Sequence, residues 1–358
     1  MPKQQTSRQK VWRTFTGRVF VFGAGVSAAC GIPVAKDILR SAIADIPQNR
    51  SGQVNEVHKL LKYLYPSFKK ELANYPNIED FLNFLEMAER FNTDEYSGSS
   101  VWPKSRLSAV RGFTLKAVTD HLWRLMQLRG NFHLLREYVA SEIKTGDVII
   151  TFNWDTTVEH AMHMHPREPA FDYSYPPGES DDVENVLLKP HGSIDWFHIK
   201  DLPKRHAKGD FEALDAYLRV FTRFDFRDHP SLFARTPIIV PPVSSKDFDY
   251  HFLKETWNSV HRAVSQATEI NILGYSLPQE DQFARFVLRR AIRTNRLNAG
   301  RRGTDTLRVK ILNPDSSILV NFTRLVGTSE EELSSISFTN AYFQDFVNAR
   351  AGKPIPTS

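Results

Sequence analysis

Cysteine occurs once in the 358 residues, at Cys30, so the chain can form no internal disulfide and no multi-cysteine metal site. A lone thiol fits a reduced compartment, and a cytoplasmic location is the expectation. No apolar run approaches the ~20 residues that cross a bilayer, so no membrane association is expected. The stretch from Met1 to Phe15 is basic and lacks the apolar core of an export signal, so none is expected. Internal repeats are absent. The excess of charge is small, formally +5 from 46 basic and 41 acidic side chains. Arg289, Arg290, Arg293, Arg296, Arg301 and Arg302 nevertheless cluster after an apolar helical pattern. They read either as a solvated helix end and loop or as a face for nucleic acid or an acidic partner, and composition does not choose between the two.

What the chain does contain is ordinary globular material, 41% hydrophobic and 24% charged. Its length suits one large domain with insertions or two ordinary ones. Six short segments read as strands apolar on both faces: Val19–Phe22, Val148–Thr151, Val186–Leu188, Ile238–Val240, Ile270–Leu273 and Val309–Leu312. Helical patterns between several of them predict an α/β fold with a doubly wound, mostly parallel, Rossmann-like sheet. About 125 residues separate the first two strands and carry helical patterns over Val54–Tyr63, Ile78–Phe91, Val110–Leu128 and Phe132–Ile143. Asn77 is a plausible N-cap of the second of these, and Phe81, Leu82, Leu85 and Ala88, widened by Phe84, predict a well-buried helix. The expected division is a Rossmann-like domain over 18–43 and 146–345, a helical insert over 44–145 packed beside the cleft, and a disordered tail over 346–358. Residues 93–105 and 166–185 read as loops, and residues 200–235 as charged helix.

Ligands of doubly wound sheets sit beyond the carboxyl ends of the strands. Polar motifs follow five of the six strands. The first runs from Gly23-Ala24-Gly25 through Ser27 to Gly31-Ile32-Pro33. Gly23 and Gly25 allow a sharp turn and a close backbone approach to a phosphate, although the same string also serves a strand-to-helix turn with no ligand. Next come Thr151-Phe152-Asn153-Trp154-Asp155, Lys189-Pro190-His191-Gly192-Ser193, Gly274-Tyr275-Ser276 and Leu312-Asn313-Pro314-Asp315-Ser316. An amide such as Asn153 both donates and accepts, a carboxylate such as Asp155 can accept from a carboxamide, and a neutral His191 can take a proton. Taken singly, each is also an ordinary residue of a strand end. His160, His163 and His165 suggest a metal, but only the first two share a helix face and nothing completes a shell, so they are expected to be surface histidines and no metal is expected. Phe283, Phe286, Val287 and Leu288 are read as core or subunit interface.

This motif set, in this order, resembles the sirtuin superfamily and is most similar to the sirtuin-like domains of bacterial anti-phage defence proteins that hydrolyse NAD. The resemblance spans roughly residues 18–320 and is carried by the motif segments. It implies NAD as substrate, with Asn153 and His191 as catalytic residues and Asp155 as the acid of the nicotinamide pocket. It further implies cofactor contacts at Gly23, Ala24, Gly25, Ser27, Ile32, Pro33, Asp37, Gly274, Ser276, Asn313 and Asp315. Three departures separate the chain from protein-deacylating sirtuins. The two Cys-x-x-Cys pairs of their zinc ribbon are absent. Val34-Ala35-Lys36-Asp37 stands where they follow Gly-Ile-Pro with Asp-Phe-Arg, and Trp154 replaces an aliphatic residue. The expected activity is therefore NAD glycohydrolysis, with water as acceptor. An NAD- or ADP-ribose-binding sensor or scaffold subunit is the alternative, and a zinc-free deacylase or ADP-ribosyltransferase ranks third. The resemblance favours a homo-oligomer and a defence partner such as an ATPase motor or an Argonaute-like protein.

Overall fold

The computed structural model describes residues 15–91, 102–127, 132–163, 171–172, 185–201, 211–213, 218–221, 237–241, 251–302, 307–327 and 329–352. The strands are β1 (Arg18–Phe22), β2 (Val148–Thr151), β3 (Phe171–Asp172), β4 (Asn185–Leu188), β5 (Trp196–His198), β6 (Phe211–Ala213), β7 (Leu218–Phe221), β8 (Glu269–Leu273), β9 (Arg308–Leu312) and β10 (Ile336–Thr339). The helices are α1 (Ala24–Ala29), α2 (Ala35–Ala44), α3 (Ser51–Leu64), α4 (Ile78–Phe91), α5 (Lys104–Gln127), α6 (His133–Glu142), α7 (Thr157–His163), α8 (His251–Gln266), α9 (Gln282–Arg302), α10 (Leu319–Val326), α11 (Glu330–Ser334) and α12 (Phe343–Arg350).

Seven strands form one sheet in the order β10-β9-β8-β1-β2-β4-β3, and every neighbouring pair is parallel. The alternation of β1 shows why it lies at the centre. Phe20 and Phe22 enter the core shared with α1–α6 and α12, while Val19 and Val21 enter the core shared with α8, α9 and α10. A strand apolar on both faces is stable only when both are covered. The fold is thus α/β and Rossmann-like, as the pattern of apolar runs predicts. Among the described residues, no helix is long and apolar enough to cross a membrane.

Several details differ from the sequence expectation, each for a physical reason. Ile238–Val240 does not join the large sheet. Ile239 makes a single antiparallel bridge to Gly192, and Val240 N–H donates to His191 O at 2.9 Å, so the segment braces the histidine loop instead. The strand β10 went unpredicted because its exposed edge alternates Ser337 and Thr339 with Ile336 and Phe338 and never forms an apolar run. Within 200–235, expected as helix, the described residues include β6 and β7, which pair with β5 in an antiparallel sheet. Within 166–185, β3 pairs with β4. The chain over 346–350, expected as the start of a disordered tail, is helix, with Val347 buried in the core. Most of the 93–105 and 166–185 loops and residues 353–358 lie outside the described residues, as does Met1–Thr14.

The insert helices fall close to their predicted places. Asn77 Oδ1 accepts from Glu79 N–H at 2.9 Å at the start of α4, and Phe81, Leu82 and Leu85 are fully buried. Phe84 and Met87 are not, at 43% and 46% exposed, so α4 buries one stripe rather than most of its surface. The arginine cluster lies on α9 itself rather than in a loop after it. Arg293 and Arg296 both pair with Glu332 of α11, and Val287 and Leu288 are core while Phe286 is exposed.

Candidate active site

Because the strands of the large sheet are parallel, their carboxyl ends share one edge, and the motifs gather along it. The β1 turn and the β8 turn interlock. Gly25 N–H donates to Gly274 O at 2.9 Å, and a Cβ on Gly25 would lie 2.8 Å from Gly274 Cα. Gly274 itself holds φ +62°, where a side chain strains the backbone. The Gly25 amide is thus bonded to backbone, and the missing Cβ atoms allow the close packing of the two turns.

Beside that contact, one cleft is lined by Ala24, Ser27, Ile32, Pro33, Asn153 and Asp155, which the sequence named, together with Phe152 and Trp154. Asn153 Nδ2 donates to Ser27 Oγ at 2.8 Å, across 126 residues of sequence. Asp155 is buried, and its Oδ1 accepts from Thr157 N–H at 2.9 Å, forming an Asx turn into α7. Behind it, burial first and then the Asp155 charge push the Cys30 thiol up to about 12, which removes it as a nucleophile. The insert supplies the opposite wall, through Ile78 and Glu79 of α4 and Leu122 of α5. The cleft is open to solvent and offers a free volume of about 60 Å³.

The turn that presents Asn153 and Asp155 rests on a fully buried ion pair that the sequence reading missed. Lys189 Nζ lies 2.6 Å from Glu159 Oε1 and donates to the Asp155 carbonyl at 2.5 Å, and neither side chain reaches solvent. Lysine in a strand-end motif gives no sign of burial by itself. Its signal is the pairing with a glutamate on the next helix, visible only once β2 and β4 are neighbours.

His191 is not part of the cleft wall. It is buried on the α8–α9 side of the sheet, where its Nε2 lies 2.9 Å from Asp281 Oδ2. Its ring packs edge-on to Phe152, with centroids 5.2 Å apart, and against Trp257 at 5.8 Å. Phe152 borders both places, lining the cleft and stacking on Tyr275 with a 4.4 Å centroid separation. The structure therefore brings Asn153, Asp155 and Ser27 together and leaves His191 outside the cleft lining, in contact with the Phe152 ring. Asn313 is buried and closes an Asx turn onto Asp315 N–H, while Asp315 and Ser276 are exposed along the same edge. Asp37 lies outside the cleft lining, 3.6 Å from Arg40. His160, expected at the surface, is buried and stacks on Phe132, with Nδ1 3.0 Å from Thr156 O. Among the described residues, no group of three or more His, Cys, Asp or Glu is arranged to hold a metal ion. His165 and the His163 side chain lie outside them.

The insert also meets the β8 loop through two acids. Burial first, then the charge of Glu280 and a hydrogen bond to it, raise the Asp80 carboxyl above its usual 3.8. A raised folded-state value means that this contact favours folding most at pH below about 3.8 and loses that contribution as pH rises through the raised value. Asp80→Asn is therefore expected to raise the thermal midpoint near neutral pH and to flatten its decline above about pH 4. Thermal scans across that range check it, and an unchanged pH profile would show that the Asp80–Glu280 contact does not set the pH dependence.

No protein-family model matches the chain, and no curated protein matches it. Among solved structures it is similar to a Sir2 in complex with an inhibitor, 2'-O-acetyl-ADP-ribose and a deacetylated p53 peptide. The identity is 13% and the TM-score 0.38, over 99% of this chain and 100% of that one. A Sir2–p53 peptide–NAD+ structure gives 14% identity and a TM-score of 0.37 over 98% of this chain and 99% of that one. A structure concerned with the mechanism and regulation of Sir2 enzymes gives 11% and 0.38 over 96% and 94%.

Proposed function

We propose that this protein hydrolyses NAD at the nicotinamide–ribose bond, releasing nicotinamide and ADP-ribose. The observation that carries the reading is the meeting of the Asn153 amide, the Ser27 hydroxyl and the Asp155 carboxylate in one cleft at the carboxyl edge of β1 and β2. Cleaving a glycosidic bond passes through an oxocarbenium-like centre, which needs an aligned nucleophile and nearby dipoles. Asn153 would hold the attacking water or a ribose hydroxyl. Asp155, with Oδ1 on Thr157, would accept from the departing carboxamide through its second oxygen. His191, packed on the Phe152 ring that lines the cleft, would take the proton from a ribose hydroxyl.

Ligand pockets commonly enclose about 300–1,000 Å³, so a cleft of about 60 Å³ has to widen before a dinucleotide enters. So narrow a cleft suits an NAD-depleting effector held quiet until it is triggered. The motif resemblance extends the proposal to bacterial anti-phage defence, as a homo-oligomer or beside an ATPase motor or Argonaute-like subunit. The burial of His191 favours one second reading, a subunit that binds NAD or ADP-ribose without turnover.

Chromatography of NAD incubated with the purified protein separates the two. Nicotinamide and ADP-ribose in equal amounts are expected. Saturable NAD binding with no product, in every oligomeric form obtained, would replace the first reading with the second.

A further inference from the structure

We propose that Asp281 is the positioning residue of His191, fixing the imidazole so that Nδ1 is the nitrogen able to accept a proton. This deepens the proposed function and rests on His191 acting in that reaction.

Asp281 lies at the N-cap of α9, where its Oδ1 accepts from Ala284 N–H at 3.1 Å. A helix N-terminus favours a negative charge, which is the form of the side chain that only accepts hydrogen bonds. Its other oxygen, Oδ2, is the one 2.9 Å from His191 Nε2. Both residues are buried, Asp281 completely and His191 to within 3%. The contact is an ion-pair approach outside hydrogen-bond alignment, and the carboxylate charge so close to Nε2 favours the imidazole proton on that nitrogen, so that in the neutral ring the second nitrogen carries the lone pair.

The surroundings hold the pair in register. The Tyr275 hydroxyl faces Asp281, and its proton is held far more tightly than usual, by burial first and then by the Asp281 and Glu79 charges, against the opposing pull of Arg285. Arg285 itself donates to Leu277 O at 2.8 Å. Phe152 and Trp257 pack on the imidazole and on each other. The carboxylate thus joins a 21-residue helix to the histidine, so ring orientation follows the placement of α9.

The test uses the two substitutions that keep the helix cap. Serine and asparagine cap helices about as well as aspartate, so Asp281→Ser and Asp281→Asn retain a partner for Ala284 N–H while removing the charge beside His191. Asp281→Ala, which loses both, serves as the structural control. Nitrogen-15 NMR of histidine-labelled full-length protein, with the His191 signal assigned by its loss in His191→Gln, reads the ring directly. In the wild type, a neutral His191 with the proton on Nε2 is expected. In both cap-preserving variants the tautomer population should shift, and the His191 titration midpoint should fall by about one unit or more. Nicotinamide release should fall in kcat by about 10²-fold or more with KM within a few-fold, and the acid limb of its pH profile should move down in parallel.

Unchanged tautomer and midpoint in Asp281→Ser and Asp281→Asn would overturn the assignment even if activity fell. A wild type that shows the expected ring signals but releases no nicotinamide would leave the pairing standing and remove the hydrolase reading instead.

Discussion

Asn153→Ala is expected to lower kcat for nicotinamide release by about 10²–10³-fold, the scale seen when a single aligned dipole is removed from a developing charge. The fold should survive. Asn153 is only partly buried, and the bond from its amide to Ser27 Oγ, at 2.8 Å, contributes on the order of 1 kcal/mol. Calorimetric titration with NAD decides how the result is read. Affinity within a few-fold of wild type, alongside the lost turnover, assigns Asn153 to the chemistry. Affinity lost in proportion to turnover would make it a binding residue, and retained turnover would remove it from the site. His191→Ala provides the comparison, with an expected loss of about 10²–10⁴-fold if the imidazole takes the proton.

The second large effect concerns stability. Lys189→Met is expected to destabilise the fold by about 3–5 kcal/mol, because it removes the counter-charge 2.6 Å from the buried Glu159 carboxylate. Replacing both members, Lys189→Met with Glu159→Leu, should recover most of that loss, since a well-packed apolar pair often matches a buried ionic one. A deficit of about 1–3 kcal/mol should remain, from the Asp155 carbonyl that loses its donor. Denaturant midpoints of the two single variants and the double one test this. Additive effects would mean that the two side chains do not depend on each other. Turnover should fall more than stability explains in both the Lys189 variant and the double variant, since the same ammonium anchors the turn carrying Asn153, and a displacement of about 1 Å can cost 10²-fold.

The large sheet was readable because its central strands are apolar on both faces, and such runs stand out against the polar turns that follow them. The motif positions were readable for the same reason, since parallel strands deliver their carboxyl ends to one edge. The strand-end placement of Asn153, Ser27 and Asp155 followed from that rule, while the roles expected of them came from the family resemblance. The strand β10 was hidden because half of its side chains face water. Ile238–Val240 misled because its apolar content serves the bracing of Gly192 and His191 rather than sheet pairing. The cleft depends on contacts between distant segments, so its partners were hidden too. Asp281 carried a local signal, an aspartate directly before the helical stripe of Ala284, Val287 and Leu288, which marks a helix start. Its second role beside His191 exists only in three dimensions. The same holds for Phe152, adjacent to Asn153 in sequence, whose ring lines the cleft and packs on the imidazole.

The strand order has a consequence for biosynthesis. The central strand Arg18–Phe22 hydrogen-bonds on one side to Val148–Thr151 and on the other to Glu269–Leu273. Its second neighbour leaves the ribosome some 250 residues after it. At roughly 5–20 residues per second, that interval is on the order of 10–50 s, during which an apolar strand has an unpaired edge. Nascent chains arrested before Glu269 should therefore aggregate or engage chaperones, while release after Leu312 should allow the centre of the sheet to close.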